Sequence, residues 1–222
     1  MKLFFKCLVV LMPWIIKRRL LNTFFGYKLH RKAYIGLSWI FPDHLVMEAD
    51  AHINHFSVAI HLDEILMKKE ATIGRGNWIT GFSSKKSSPH FSHDPNRKSQ
   101  LMMDNGAAIT KNHHIDCTSP IEIGAFTTIA GYRSQLLTHS INIYTNRQES
   151  KKIVIGDYCF VGSGVIILGG ATLPSYSVLG AKSLLHKSFE NSYFLYAGNP
   201  ALPVKKISES ALYFSRQSPF VV

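Results

Sequence analysis

Aliphatic residues recur at every sixth position through one long stretch of the chain. From Ile155 the sequence reads IGDYCF VGSGVI ILGGAT LPSYSV LGAKSL, and the in-register positions are Ile155, Val161, Ile167, Leu173, Leu179 and Leu185. A helix repeats its apolar face about every 3.6 residues and a half-buried strand roughly every two, so neither produces this spacing. A six-residue period predicts short strands joined by corners, with three strands in each turn of a triangular prism.

Each position of the six-residue unit has its own requirement in such a prism. The first position points inward. We expect the second to lie at a corner, where glycine permits unusual backbone angles, as at Gly156, Gly162 and Gly180. The fifth, as at Cys159, must be small because it points inward near a corner. The same phase continues upstream through Ile35, Phe41, Met47, Ile53, Met67, Ile73, Ile79, Ile109, Ile115 and Ile121, and after a two-residue slip through Ile123 and Ile129.

Two polar segments interrupt the repeat, near 83–105 and 140–152, and both are predicted to be loops that leave the prism. The sequence therefore predicts a mainly β domain over residues 35–207. A basic amphipathic helix is expected within residues 1–34, and a C-terminal tail with a short helix over 208–222.

The run from Ile155 to Lys187, followed by AGNPA at Ala197–Ala201, resembles the hexapeptide-repeat acyltransferases. It is similar to the branch that contains galactoside, maltose and xenobiotic acetyltransferases and the O-acetyltransferases of bacterial surface sugars. The resemblance covers roughly residues 35–207. It implies a left-handed parallel β-helix, a homotrimer, and an acyl-CoA donor bound between adjacent prisms. The left hand rests on the resemblance alone, because parallel strands are usually connected by right-handed crossovers.

Acyl transfer from a thioester to a hydroxyl needs a base for the hydroxyl proton and a donor for the oxyanion. Histidine is the natural base near neutral pH. Of eleven histidines, His139 in the motif LLTHS is predicted to be the base, because the family places its catalytic histidine in a similar context before the IGD run. His113 and His114, in TKNHHIDCT, compete with it. The resemblance turns this coil toward the acceptor sugar, with Asn112, His114 and Asp116 as contacts.

The resemblance also implies contacts for the co-substrate, acetyl-CoA. They are Phe160 near the acyl end, Gly162 and Ser163 where a backbone N–H faces the thioester oxygen, Gly180 and Ala181 along the pantetheine arm, and His186 and Lys187 near the adenosine end. The repeat itself demands the same glycines and small residues. No residue is placed for a covalent acyl-enzyme. His90, His93 and Asp94 have a spacing that allows two metal ligands but place no third, so no metal is expected.

Composition and charge narrow the class of protein. Hydrophobic residues make up 46% of the 222 residues and charged residues 18%, which excludes a disordered chain. Three sparse cysteines form no disulfide framework and indicate a reducing compartment. The net charge is +11, but eight basic residues and no acidic residue lie within 1–42, leaving +3 for the remainder. A nucleic-acid partner is not expected, because it would require a basic face across the folded domain.

Residues 1–32 interleave these charges with large apolar side chains. The apolar run from Cys7 to Ile16 is ten residues long and contains Pro13, whereas a bilayer span takes about 20. We expect an interfacial segment that binds an anionic membrane surface. The protein would then be cytoplasmic and peripheral on the inner face of the cytoplasmic membrane. A helix packed against the protein itself, and an uncleaved insertion signal, are the alternatives.

The leading functional hypothesis is direct transfer of acetyl from acetyl-CoA to a sugar hydroxyl of a surface polysaccharide or its lipid-linked precursor, with His139 as general base. N-acetylation of an amino sugar and a serine acetyltransferase-like activity stay open. So does a non-catalytic β-helix scaffold, although a scaffold gives no reason for the LLTHS histidine or the AGNPA segment.

Overall fold

The computed structural model describes residues 2–85 and 88–221. Met1, Lys86, Ser87 and Val222, which belong to the predicted N-terminal segment, first loop and tail, lie outside the described residues. Three sheets, named A, B and C here, form the three sides of a prism, and their strands are parallel except for the last strand of sheet B, which is antiparallel to its neighbour. The chain visits A, B and C in turn, so that one strand of each makes one coil of a left-handed parallel β-helix.

The strands are short, as the repeat predicts. Sheet A contains β1 (Lys28–Leu29), β4 (His44–Met47), β7 (Glu64–Met67), β10 (Gln100–Met103), β13 (Ile121–Ile123), β18 (Ile153–Ile155) and β21 (Thr172–Leu173). Sheet B contains β2 (Tyr34–Ile35), β5 (His52–Ile53), β8 (Thr72–Ile73), β11 (Ala108–Ile109), β14 (Thr128–Ile129), β19 (Phe160–Val161), β22 (Val178–Leu179), β24 (Phe194–Gly198) and β25 (Ala201–Lys206). Sheet C contains β3 (Trp39–Phe41), β6 (Val58–Ile60), β9 (Trp78–Thr80), β12 (His114–Asp116), β15 (Gln135–Leu137), β20 (Ile166–Leu168) and β23 (Leu184–Leu185).

The first-position side chains stack coil upon coil inside the prism. Ile123 pairs with Ile155, and Ile155 pairs with Leu173, in one continuous ladder. All six in-register residues from Ile155 to Leu185 are buried. The fifth-position residues between them are buried as well: Cys159, Val165, Ala171, Ser177 and Ser183. The inward roles predicted for these two positions are therefore confirmed.

The expectation for the second position is wrong in its physical reason. Within the repeat, left-handed backbone angles fall at the fourth position, including Tyr158, Gly164 and Tyr176. The second-position glycines serve to let the coils approach each other. A Cβ on Gly156 would lie 2.5 Å from the backbone nitrogen of Ser175, and one on Gly162 would lie 2.6 Å from that of Ala181. Contacts this short with backbone exclude any side chain.

Two helices close the N-terminal end of the prism, where a single amphipathic helix was expected. They are α1 (Lys2–Leu11) and α2 (Trp14–Phe25), separated at Pro13. Lys17 lies on the inner side of α2 and is buried, and its ammonium group donates to the Gly36 carbonyl at 2.6 Å. Neither helix, nor any other in the described chain, has the length and apolar character to cross a bilayer. The ladder also begins earlier than the predicted residue 35, since β1 already pairs with β4.

The interruptions in the repeat have definite structures. The first loop rejoins sheet A at Gln100 rather than after residue 105, because the QLMM segment alternates outward and inward and pairs with β7. The second forms an antiparallel hairpin of β16 (His139–Asn142) and β17 (Arg147–Ser150). The predicted C-terminal helix is one 3-10 turn, Leu212–Phe214.

An aromatic ladder lines the corner between sheets A and B. Its rings, which stack successively with centroids 5.0 to 5.4 Å apart, are Phe126, Tyr158, Tyr176 and Tyr193. The tail packs across it, with the Arg216 guanidinium 5.9 Å from the centre of the Phe126 ring and 5.6 Å from that of the Tyr158 ring. The Tyr213 hydroxyl donates to the Cys159 carbonyl at 3.0 Å.

Candidate active site

A histidine and an aspartate from successive coils form an ion pair at the corner between sheets C and A. Asp116 ends β12, and His139 follows β15, the next strand of the same sheet. His139 Nδ1 lies 2.5 Å from Oδ2 of Asp116, and the His139 backbone N–H donates to the same oxygen at 3.2 Å. The side chain of His139 is 41% exposed and that of Asp116 is 8% exposed. The pair therefore presents one imidazole edge to solvent and buries its carboxylate.

The electrostatics of the pair favour a basic imidazole. The hydrogen bond to Asp116 raises the pKa of His139, while burial and the positive charge of Arg97 act in the opposite direction. Burial opposes ionisation of Asp116, but hydrogen bonds from His139 and Thr118 outweigh it and hold the pKa of the carboxyl below its usual value. Because Nδ1–H is held by the carboxylate, Nε2 is left as the proton acceptor.

Asp116 was expected to touch the acceptor, and the structure gives it a different task. Its Oδ1 accepts from the Thr118 hydroxyl at 2.6 Å and from the Thr118 N–H at 3.1 Å. Its backbone carbonyl accepts from the Thr138 hydroxyl at 2.8 Å. Both carboxylate oxygens are thus occupied by neighbours within the chain, and Asp116 orients His139 rather than facing a ligand.

A buried arginine from the first loop supports the same corner. Arg97 Nη1 donates to the carbonyls of Phe82 and Thr118, both at 2.5 Å. The ends of the loop are clamped by Asp63, whose Oδ1 accepts from the Ser84 N–H and whose Oδ2 accepts from the Ser99 N–H, both at 2.8 Å. Arg97 was missed in the sequence because a polar loop has no periodicity that marks one of its residues as buried.

A cavity of about 290 Å³ opens beside His139. Its walls include the hairpin residues Glu149 and Ser150, together with Leu168 and His186. His186, which was predicted to contact the adenosine end of the donor, therefore lines the same cavity as His139 within one chain. Its neighbour Lys187 is exposed, and its ammonium group lies 5.4 Å from the centre of the Phe189 ring.

The two competing histidines, His113 and His114, have different environments in the structure. His113 is buried, with Nδ1 accepting from the Ser134 N–H at 3.1 Å and Nε2 lying 3.0 Å from the Thr110 hydroxyl. Burial lowers the pKa of His113 to about 4, so it is a neutral structural residue. His114 is exposed and lines a cavity of about 520 Å³ together with Asn112. Two of the predicted acceptor contacts thus share a cavity, while Asp116 lies at the other end of β12.

The predicted donor residues lie mostly at the corner between sheets B and C, called corner BC below. Ser163 and Ala181 occupy this corner in successive coils, and Gly162 and Gly180 precede them. Within the described residues, the backbone N–H groups of Ser163 and Ala181 have no hydrogen-bond partner in the chain. Phe160 is partly exposed on sheet B and meets the edge of the Tyr213 ring at 5.9 Å. His139 and Ser163 lie at opposite ends of the strands of sheet C, so one chain does not bring them together.

The described residues offer no metal site, and the two cysteine thiols inside the prism are unreactive, whereas the third cysteine, Cys7, is exposed on α1. Those residues contain no group of three or more His, Cys, Asp or Glu side chains that could hold a metal ion. Burial raises the pKa of Cys159 to about 12 and that of Cys117 well above its usual value. Both thiols are therefore protonated and inaccessible as nucleophiles.

Comparison with known proteins gives partial sequence relatives. No family model matches the chain. YvoF of Bacillus subtilis strain 168, which is named as a putative acetyltransferase, is 34% identical over 86 residues, 38% of this chain and 48% of YvoF. Galactoside O-acetyltransferase of Lactococcus lactis is 35% identical over 63 residues, 28% of this chain and 30% of that enzyme. The chain thus spans about half or less of the length of these curated relatives.

Solved structures share the fold over most of the chain. The polysialic acid O-acetyltransferase OatWY superposes with a TM-score of 0.59 at 15% identity, covering 84% of this chain and 90% of its own. AntD, an N-acyltransferase from Bacillus cereus solved with dTDP-4-amino-4,6-dideoxyglucose and coenzyme A, gives 0.52 at 11% identity, covering 87% and 90%. The predicted resemblance to the hexapeptide-repeat acyltransferases, and the left-handed β-helix it implies, are confirmed.

Proposed function

We propose that this chain, which has the repeat and fold of the hexapeptide-repeat acyltransferases, transfers acetyl from acetyl-CoA to a hydroxyl group of a sugar. The observation that carries the proposal is the His139–Asp116 pair. An exposed imidazole with a raised pKa, held by a buried carboxylate, is the arrangement of a general base. A β-helix that only served as a scaffold would have no use for it.

The proposed reaction uses two groups of the site that have no hydrogen-bond partner within the described chain, Nε2 of His139 and the backbone N–H of Ser163. Nε2 of His139 takes the proton of the acceptor hydroxyl as the oxygen attacks the thioester carbon. The backbone N–H of Ser163, which has no partner within the described chain, stabilises the oxyanion. The C–S bond then breaks, and the imidazolium returns the proton to the leaving thiolate of coenzyme A. Transfer is direct, since the buried thiols are unavailable for an acyl-enzyme.

The acceptor is a sugar of a surface polysaccharide or of its lipid-linked precursor. Support comes from relatives that are named for galactoside and polysialic acid O-acetylation. N-acetylation of an amino sugar is the second candidate, because AntD is an N-acyltransferase crystallised with an amino-sugar nucleotide. A serine acetyltransferase-like reaction would need a much smaller acceptor.

The assay that tests the proposal measures coenzyme A release and acetylated product with galactosides, amino sugars and sugar nucleotides as acceptors. Acceptor-dependent release, abolished in H139A, is the expected result. Release that no acceptor stimulates, and that H139A leaves unchanged, would sink the proposal. Mass spectrometry of the product separates esters from amides, because only the ester is lost on mild alkaline treatment.

The active assembly is a homotrimer in this proposal. His139 and the donor residues Ser163 and Ala181 lie at different corners of the prism, so that two copies complete each site. The tail already covers part of sheet B, where Tyr213 packs on Phe160. The tail leaves uncovered the two corners that carry the proposed catalytic groups, namely the corner between sheets C and A with His139 and corner BC with Ser163 and Ala181.

The N-terminal helices carry the proposed membrane contact. Leu3, Phe4, Leu11 and Ile15 are each about two thirds exposed or more. Buried Lys17 and Leu21 fix the opposite side of α2 against the first coil. An apolar face with basic residues such as Arg19 beside it suits the boundary of an anionic bilayer. The protein would then act on the cytoplasmic face of the membrane, where lipid-linked sugars are presented.

A further inference from the structure

The larger cavity described above, of about 520 Å³, lies over corner BC and has an unusual lining. Trp78, which is 48% exposed, forms one wall. The remaining lining residues are Gly76, Asn112, His113, His114, Arg133, Ser134 and Gln135. No carboxylate is among them.

The outward positions of sheet C change character along the prism. Trp78 pairs with His114, and His114 pairs with Gln135. The same row continues into Ile166 and Leu184, which are apolar. The change from polar Gln135 to apolar Ile166 coincides with the step from the proposed acceptor coils to the proposed donor coils. The cavity therefore belongs to the acceptor side.

Three cations follow one another at corner BC across these coils. Arg75, Lys111 and Arg133 come from the corner segments 74–77, 110–113 and 130–134, and none of these segments contains an acidic residue. All three are exposed, and none has a carboxylate within ion-pair distance among the described residues. Other corners differ, since Lys68 pairs with Asp104 at 2.9 Å. The positive charge of corner BC is uncompensated.

A one-residue insertion projects Arg133 from the prism. Residues 130–134 make this corner with five residues, where the preceding coil uses the four residues 110–113. Arg133 has a left-handed backbone, with φ 59°, and its guanidinium lies 5.8 Å from the centre of the Tyr132 ring. Buried His113 holds the insertion through the Ser134 N–H. The insertion thus presents a cation and an exposed aromatic ring on a fixed support.

The cavity is within reach of the catalytic pair. His114 and Asp116 are two residues apart on β12, and both flank the inward-facing Ile115. Two such residues point to the same face, with Cα atoms roughly 7 Å apart. A saccharide that offers a hydroxyl to His139 can therefore extend along sheet C into the cavity.

We infer that this cavity binds a negatively charged group of the acceptor saccharide, a carboxylate or a phosphate, lying one or two sugar units from the hydroxyl that is acetylated. Arg133, which lines the cavity, supplies the positive charge, and Lys111 and Arg75, exposed at the same corner, add to it. Trp78 supplies a flat apolar face for a sugar ring. Arginine suits this task because its guanidinium binds carboxylate and phosphate in a bidentate manner. The inference rests on the proposed function, since it names the acceptor class of that site.

The test is direct binding, which requires no acetyl-CoA. Calorimetry compares trigalacturonate with galactotriose, and 3′-sialyllactose with lactose, which are pairs that differ in charge; glucose 1-phosphate represents the phosphate source. The charged saccharides should bind more tightly than their neutral partners, and more weakly as salt rises. R133Q should lower the affinity for the charged member about tenfold. The matched control R31Q, an exposed arginine far from corner BC, should not change it.

Two results would overturn the inference. One is equal or absent binding of charged and neutral saccharides by the wild-type protein. The other is an R133Q variant whose only defect is a raised KM for acetyl-CoA, which would assign the cations to the phosphates of the donor. Failure of the proposed function looks different: charged saccharides would bind in an Arg133-dependent manner while none is acetylated.

Discussion

His139 and Asp116 are 23 residues apart in the chain, yet their side chains meet at 2.5 Å because β15 lies directly beside β12. Replacing the imidazole should therefore remove catalysis without disturbing the fold. We expect H139A to lower kcat by about 10²- to 10⁴-fold, as for loss of a general base. The fold should be retained, since the Asp116 carboxylate keeps its hydrogen bonds from Thr118 and from the His139 backbone N–H. H30A, another exposed histidine, is the control, and near-normal turnover in H139A would remove His139 from the mechanism.

The pH dependence of activity should reveal the effect of the Asp116 carboxylate on the pKa of His139. A base works only when deprotonated, so activity falls as pH drops through the pKa of His139, which the hydrogen bond to Asp116 raises. D116N removes that negative charge. The acidic limb of the kcat/KM profile should then move to lower pH, while kcat falls by about 10²-fold or more because the imidazolium loses its partner. D50N, a change of the same type at a partly exposed aspartate at the corner between sheets A and B, should leave the limb in place. An unmoved limb in D116N would contradict this coupling.

Two inactive variants should rescue each other if each site is shared between copies. H139A lacks the base, and A181W fills the proposed pantetheine groove with an indole at an exposed corner. In a mixed trimer, roughly a quarter of the interfaces combine an intact base with an intact groove. Co-refolded protein should recover up to that fraction of wild-type turnover. Sedimentation showing a monomer at micromolar concentration, or mixtures as inactive as their components, would count against the shared site.

The glycines of the repeat should differ in their tolerance of a methyl group. G162A places a Cβ 2.6 Å from the backbone nitrogen of Ala181, which cannot move without parting two coils. G164A, two residues on, has φ +64° but meets only the flexible Lys182 side chain. The left-handed angle costs G164A about 1 kcal/mol of unfolding free energy. G162A should cost at least about 1 kcal/mol more. Equal losses in denaturant titrations would refute the steric explanation.

Membrane binding should depend on the exposed face of the helices. Deleting residues 1–32 would also remove β1 and the cap of the first coil, so point substitutions give the cleaner test. The triple variant F4S/L11S/I15S should lose binding to phosphatidylglycerol vesicles. L202S/V204S/L212S removes three exposed apolar residues from the other end of the chain and should retain it. Co-sedimentation should weaken with salt. Equal binding of both triples would refute the membrane contact.

The sequence was most informative where packing enforces a period. Every inward residue from Ile155 to Leu185 lies where the six-residue spacing predicts, because the prism has no room for exceptions. In the structure Asp116 aligns with Leu137, two residues before His139. The six-residue spacing alone is one residue out at this point and does not predict the pair.

Features outside the period could not be predicted in this way. Arg97 is buried by a loop whose path is fixed by Asp63, thirty-four residues earlier, rather than by any local pattern. The insertion at residues 130–134 shifts the phase by one and hides the match between Ile115 and Leu136. The pairing of α1 with α2 depends on the break at Pro13 and on the Gly36 carbonyl that accepts from Lys17. Only the folded first coil places that carbonyl under the helix.

A prism built from repeated coils has no intrinsic length, because each open end displays backbone groups that another chain can pair with. Here α1 and α2 cover one end. At the other, β24 turns back onto β25, and Phe189 stacks on Tyr196 with ring centres 4.2 Å apart. These elements are terminators of growth. Proteolytic loss of the helices would uncover the first coil, formed by β1, β2 and β3. Because the other end stays covered, the truncated protein would be expected to pair through its open ends into dimers.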